Sequence, residues 1–423
     1  MRIAVIGSGI AGLASAWLLS RRHEVVLYEA QDHLGGHTHT HDIEIAGRRY
    51  AVDTGFIVSN PLNYPLFNAM LRELGVGTRP TTMTFAVRND RSGLEYAAGS
   101  LNLMFLQRRR LASVRHWRMI TDILRFYREA PALLDLPDAG PDLGDYLDAN
   151  GYSAGFAEDH LIPMASALWS SPSAQVRHFP AKYLAQFMAN HHMLKVEGRP
   201  QWQVVEGGSQ AYVRALAASW PVQVRLPCPV RRVRRVDGGV LVDAGGDAPE
   251  RYDQAVLACH SDHALALIDS PRDAEREILG AMPYQANDTV LHTDANQLPR
   301  DRRAWSAWNA LVPADANDDC TVSYCMNVLQ GIDCPQPLVV TLNRTAHIDP
   351  TRILRRMHYQ HPVYTRASVA AQARRAEING VDRLWFAGAY WGWGFHEDGM
   401  RSAVDVARAL GVDWPVAGAA KAA

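Results

Sequence analysis

Lysine is nearly absent: among 423 residues only Lys182, Lys195 and Lys421 occur, so arginine supplies almost all the positive charge. The five cysteines (Cys228, Cys259, Cys320, Cys325 and Cys334) are odd in number and none stands in CxxC spacing. Nothing there argues for a disulfide framework, which favours a reducing compartment. No run reaches the roughly 18 apolar residues of a spanning helix. A net charge of −1 gives no global attraction to nucleic acid, and none is expected as a partner. The opening "MRIAVIG" has no basic stretch followed by an apolar one, so no secretory leader is read and a cytoplasmic location is expected. What remains is 48% hydrophobic and 21% charged, the mix of a globular enzyme, over a length that suggests two domains.

The clearest signal comes first. "RIAVIG" is a short β-branched run suited to a strand buried on both faces. "GSGIAG" follows, with Gly7, Gly9 and Gly12 in GxGxxG spacing, then an amphipathic stretch and a second apolar run ending at Glu29. Glycines between a strand and a helix, with an acid at the tip of the next strand, are the context a dinucleotide requires. Gly7 permits the tight turn, Gly9 lets a pyrophosphate approach the backbone, and Gly12 allows close helix–strand packing. Ile10 and Ala11 open the helix, whose free N–H groups and positive dipole end face the phosphates. Glu29 can accept ribose hydroxyls and repels a 2′-phosphate, which disfavours NADPH.

"EAQDHLGGHTHTH" raises a choice between metal ligands and a nucleotide cradle. His37, His39 and His41 alternate, so on a strand they would share one face. Gly35 and Gly36, directly after the second strand, instead suggest backbone making way for the pyrophosphate, and this is the preferred reading. A metal site and a histidine-linked flavin are the weaker alternatives.

Further along, "YAVDTGFIVSN" mixes strand residues with a Thr-Gly turn, and residues 62 to 200 read as mainly helical. From 201, a strand, a Gly-Gly turn, a helix and an Asp-Gly-Gly hairpin follow. Residues 286 to 375 read as mixed strand and helix. The last segment, "RLWFAGAYWGWGFHEDGMRSAVDVARAL", reads as strand, glycine-aromatic loop and a helix beginning near Gly399.

Taken together, "IAVIGSGIAGLASAW", "LGGHTHT", "VDTGFIVSN", "VLACHSD", "VLHTD", "AWSAWN" and "FAGAYWGWGFHEDG" resemble one family across nearly the whole chain. It is the group of predicted FAD-binding oxidoreductases found beside bacterial cyclopropane fatty acid synthases, within the amine oxidase and phytoene desaturase superfamily. The chain is also similar to the N-terminal module of plant cyclopropane synthases and to methylated fatty acid desaturases. The resemblance implies FAD and an α/β fold: a glutathione-reductase-type (Rossmann-like) FAD-binding domain with an inserted α+β substrate domain. The expected division is 1–75, 201–285 and 376–415 for FAD, 76–200 and 286–375 for substrate, and 416–423 as a tail. It also implies flavin contacts from Thr54, Gly55, Phe56, Ile57, Gly388, Ala389, Asp398, Gly399 and Met400. Adenine is expected at Val230, and the pyrophosphate beside His37, where relatives usually carry arginine. Two departures stand out: "YQANDTVLHTD" lacks the lysine that amine oxidases commonly place near flavin N5, and Ala389 replaces a common acid.

The resemblance implies a lipid acyl substrate, dehydrogenated by hydride transfer to flavin N5. A flavin amine oxidase and a flavin-carrying accessory subunit of a lipid methyltransferase, a cyclopropane synthase-like partner, are the alternatives. His292 is the candidate base or polariser, since an imidazole titrates near working pH. His396 and Glu397 are candidates in the loop beside the flavin. Tyr390, Trp391, Trp393 and Phe395 would wall the substrate pocket, with Trp308. In residues 108–128, Leu111, Val114, Trp117, Ile120, Leu124 and Tyr127 recur at helical steps among seven arginines. That pattern fits either a core helix with a solvated side or a basic amphipathic helix on the inner face of a membrane.

Overall fold

Five short segments from distant parts of the chain, four of them apolar, align as one parallel sheet. Its order is Gln223–Arg225, β2 (Glu24–Tyr28), β1 (Arg2–Ile6), Gln254–Leu257 and Leu384–Phe386. Ile3, Ala4 and Val5 are fully buried beside Ala255, Val256 and Leu257. Parallel strands covered on both faces read as unbroken apolar runs, which is why no alternation marks them. Helix α1 (Ile10–Leu19) packs closely on the final helix, His396–Ala409. Gly399 makes this possible, for a Cβ there would stand 2.6 Å from Ile10 Cγ2. The other face carries an antiparallel meander, Arg232–Val236, Gly239–Asp243 and Glu250–Tyr252. Its Val233, Val240 and Tyr252 pack on Ala4, Val26 and Tyr28.

This is a computed structural model, and it describes residues 1–169, 172–246, 248–315 and 320–414; the tail expected at 416–423 lies outside them. A second, seven-stranded sheet runs in the order Ile353–Pro362, Tyr284–His292, Val339–Leu342, Thr321–Cys325, Trp308–Val312, Phe85–Asn89, Leu94–Ala97. Helices including Val114–Glu129 and Ala181–Asn190 share an apolar core with its Phe85–Asn89 side. A small sheet of Val58–Ser59, Trp202–Val205 and Thr78–Thr81 supplements the two.

Two expectations are refined. Residues 62–200 are mainly helical, as read, but also hold the strands Thr78–Thr81, Phe85–Asn89 and Leu94–Ala97. Phe85–Asn89 pairs on one side with Leu94–Ala97 across a tight turn and on the other with Trp308–Val312, more than 200 residues away. The last helix starts at His396 rather than near Gly399. The Asp398 carboxylate accepts the N–H of Phe395 just before it, 3.0 Å away, and Glu397 adds charge to the same first turn. Acids there suit the positive end of the helix dipole.

Candidate active site

The turn after β1 is shaped around open space. Gly7 has φ +99°, and a Cβ on Gly12 would lie 1.8 Å from the Gly7 carbonyl oxygen. A Cβ on Gly9 would meet nothing within 4 Å. Gly36, with φ +57°, crosses over Gly9, and the Gly35 N–H donates to the Ser8 carbonyl at 3.1 Å. Glu29 sits at the tip of β2 and accepts from the Ser8 N–H (2.8 Å), the Ser8 hydroxyl (2.5 Å) and the Gln31 N–H (2.8 Å). A carboxylate offers about four acceptor positions, so about one remains for a ribose hydroxyl. The Cys228 N–H donates to the Glu29 carbonyl, which brings half-buried Val230 towards the same end.

His37 follows the crossing glycines. Its Nε2 is buried without a partner, and its ring lies 5.0 Å from Tyr359, 5.4 Å from His361 and 6.1 Å from His260. Burial, then the neighbouring imidazoles, push His37 down to about 3 and His361 to about 4, so both are neutral. The alternating histidines do not act as a set: His39 lies against His41 at 4.0 Å with the rings tilted by 44°, and stacks on His33 at 4.5 Å, while His37 packs against Tyr359 and His361. The strand begins only at Thr40, which is why the expected common face breaks up.

Thr54 donates to the His39 carbonyl and lies 2.8 Å from the Tyr359 hydroxyl. Gly55 passes so close that a Cβ would stand 2.1 Å from the His37 carbonyl, whose oxygen accepts the Phe56 N–H. Phe56 stacks on His396 at 3.5 Å and 9°. Ile57 is buried in the cluster that also holds Tyr359. At the other end of the chain, the Gly388 N–H donates to Ser402 Oγ, and the Ala389 carbonyl closes the turn by accepting the Gly392 and Gly394 N–H groups. Met400 is fully buried, its side chain in the core between the helices.

The three residues read as catalytic all make hydrogen bonds within the fold. His292 lies at the far end of strand Tyr284–His292, its Nδ1 accepting the Asp294 N–H and its Nε2 2.8 Å from Thr341 Oγ1. His396 Nε2 is 3.0 Å from both Thr38 Oγ1 and the Tyr212 hydroxyl, and burial holds its pKa well below the ordinary value. Glu397 accepts the N–H groups of Leu66 and Phe67 at 2.9 and 3.0 Å, capping helix Pro65–Glu73. These bonds engage both ring nitrogens of His292 and both carboxylate oxygens of Glu397, whereas those of His396 reach only its Nε2.

The aromatic loop also divides. Tyr390 turns into the core behind the parallel sheet, and Trp391 donates Nε1–H to the Phe386 carbonyl beneath Arg375. Trp393 and Phe395 point the opposite way, since the carboxylate of Asp398 takes the N–H of each, at 2.9 and 3.0 Å. Trp393 lies 4.4 Å from Tyr183; Phe395 stacks on Phe187 at 5.4 Å and faces His191 at 5.7 Å. Tyr364 completes the wall, 5.1 Å from Tyr183. Trp308 belongs to another cluster, with Ile57 and Tyr359. Tyr183, Phe187 and His191 were missed in the sequence, although their four-residue spacing on "YLAQFMANH" marks one helix face.

The chain belongs to the family of flavin-containing amine oxidoreductases, whose sequence profile matches residues 10–297. It is an FAD-dependent oxidoreductase, and the residues present fit the cofactor: an open Gly9, an unpartnered buried imidazole nitrogen on His37 and a spare acceptor on Glu29. No curated protein matches by sequence. Among solved structures, the chain resembles a conjugated-linoleic-acid-producing fatty acid isomerase from P. acnes, at 18% identity and TM-score 0.70 over 97% of this chain and 99% of that one. It resembles a mutant putrescine oxidase at 15% identity and TM-score 0.70, over 97% and 99% of the two chains. Cyclohexylamine oxidase from Brevibacterium oxydans IH-35A gives 15% identity and TM-score 0.67, over 97% and 98%. At such identities the likeness is one of fold.

Proposed function

We propose that this enzyme dehydrogenates a lipid acyl chain, using FAD held in a glutathione-reductase-type cofactor domain. The observation that carries this reading is the uncharged aromatic wall of Tyr183, Phe187, Tyr364, Trp393 and Phe395. Burial raises the Tyr183 and Tyr364 hydroxyls well above their ordinary range and lowers His191 to about 4, so each is neutral near pH 7. Such a wall suits a flat apolar chain, which needs contact and exclusion of water rather than a counter-ion. Bound FAD supplies the hydride acceptor. The chain's residues shape the wall: Asp398 fixes Trp393 and Phe395 through their backbone, and Tyr183 and Phe187 pack against them. In the overall change a hydride and a proton would leave adjacent carbons as a C=C bond forms, and both would be taken up by the bound FAD.

Amine oxidation is the second reading, favoured by the family and by the affinity of aromatic faces for cations. Anaerobic mixing of the FAD-loaded protein with phospholipid bearing methylated acyl chains separates the two. Bleaching of the flavin with a mass loss of two hydrogens from the lipid is expected. Unchanged absorbance with such lipids, together with bleaching by mono- or polyamines, would replace the first reading with the second.

A further inference from the structure

Helix Val114–Glu129 has two apolar faces, and only one is used by the fold. His116, Met119, Ile123 and Phe126 point inward and are buried. Val114, Trp117 and Leu124 point outward, 69%, 46% and 53% exposed, with Leu111 (51%) and Leu101 (68%) just before them. Nine large hydrophobic side chains are exposed among the described residues, and five of them fall between 101 and 124. Scattered singly they would need no explanation; gathered on one surface they mark a contact. Of the apolar face read from the sequence, Leu111, Val114, Trp117 and Leu124 are exposed, and Ile120 and Tyr127 are half-buried.

Charge defines what the contact is with. From 96 to 121 the sequence has five arginines and no acid, in a chain whose net charge is −1. Arg115 is paired with Glu158 and Asp159. Arg108, Arg109, Arg110 and Arg118 have no carboxylate partner among the described residues; the first three donate instead to the carbonyls of Phe105, Gly93 and Ser92. Arg109 also lines an open surface pocket with Arg300, Arg302, Glu95 and Asp301, in which Arg300 is paired with Glu95. Apolar side chains interleaved with uncompensated guanidinium groups match a bilayer surface, where the former enter the acyl boundary and the latter meet lipid phosphates.

We propose that residues 101–124 dock this enzyme on an anionic phospholipid bilayer. Behind the docking helix, Met119, Ile123 and Phe126 belong to the same apolar cluster that reaches Tyr183, Phe187 and, at its edge, Trp393 and Phe395. The surface and the aromatic wall are therefore joined by one apolar cluster. The inference goes beyond the proposed reaction and does not require it.

The test is sedimentation of the FAD-loaded protein with vesicles of phosphatidylcholine alone or mixed with phosphatidylglycerol. Binding to the mixed vesicles, weakened by salt, is expected. The combined Arg108→Ala, Arg109→Ala and Arg110→Ala variant should lose about a hundredfold in partitioning. Val114→Glu with Trp117→Glu should abolish binding while flavin absorbance and melting temperature stay unchanged. Equal binding by variants and parent, or no binding to anionic vesicles, would overturn the proposal. So would concentration-dependent self-association that only the Glu variants remove, which would make this surface an interface between protein chains.

Discussion

Gly36 lies over Gly9: a Cβ on Gly36 would stand 3.1 Å from the Cα of Gly9. The loop after β2 thereby closes on the turn after β1, leaving backbone rather than side chains around the space where the pyrophosphate belongs. The first prediction sets two of the glycines in β1's turn against each other. Gly9→Ala adds a methyl to open space, so the FAD-free protein should change in stability by less than about 1 kcal/mol. FAD affinity, read by fluorescence titration, should fall at least about tenfold as the methyl takes the ligand's place. Gly12→Ala drives a methyl into the Gly7 carbonyl, so it should destabilise the FAD-free protein by about 1–3 kcal/mol or more.

Glu397 provides a separate test because its carboxylate caps a neighbouring helix. Glu397→Ala strands the buried Leu66 and Phe67 N–H groups and should cost about 1–3 kcal/mol in chemical denaturation. Burial lifts this carboxyl to about 7 from an ordinary 4.5. The folded state then holds a proton that the unfolded state has released, so its contribution to stability declines as pH rises between those values. Glu397→Gln should flatten that part of the stability–pH profile.

Asp398 makes the direction of the aromatic loop testable. Asp398→Ala removes the acceptor for two N–H groups and should cost about 1–3 kcal/mol. It should also change the near-ultraviolet dichroism, as Trp393 loses its fixed setting against Tyr183. Asp398→Asn keeps an acceptor oxygen and should fall between the variant and the parent on both measurements.

The buried histidines respond to pH in the opposite sense to Glu397. His37 and His361 sit at about 3 and about 4 in the folded chain, against an ordinary 6.5. Below 6.5 the unfolded chain takes up protons that the folded one refuses, so stability is lost as pH falls from there towards 4. His361→Gln should reduce this acid sensitivity in urea titrations of the FAD-free protein at about pH 7 and pH 5. An unchanged profile would mean that His361 is not held neutral by its surroundings.

The cofactor turn was legible because its parts are consecutive: a strand, three glycines, a helix and an acid lie within the first 29 residues. The hairpin of Arg232–Val236 and Gly239–Asp243 was legible for the same reason, through its Asp-Gly-Gly turn. The roles of His292, His396 and Glu397 were not. A residue type says what a side chain is able to do, whereas its hydrogen-bond partners decide whether an atom is left to do it. Thr38, Tyr212 and Thr341 are 358, 184 and 49 residues from the histidines they hold.

By itself the sequence determined that a strand–turn–helix would bind a dinucleotide, because backbone freedom at Gly7, Gly9 and Gly12 is a local property. It also determined that Val114–Glu129 would be amphipathic, because side-chain spacing on a helix is fixed by its pitch. Only the tertiary structure decided which apolar stripe of that helix turns inward and which way Trp393 faces. Burial and hydrogen bonding are settled by whichever distant surface packs against a segment, and a residue pattern carries no record of that surface.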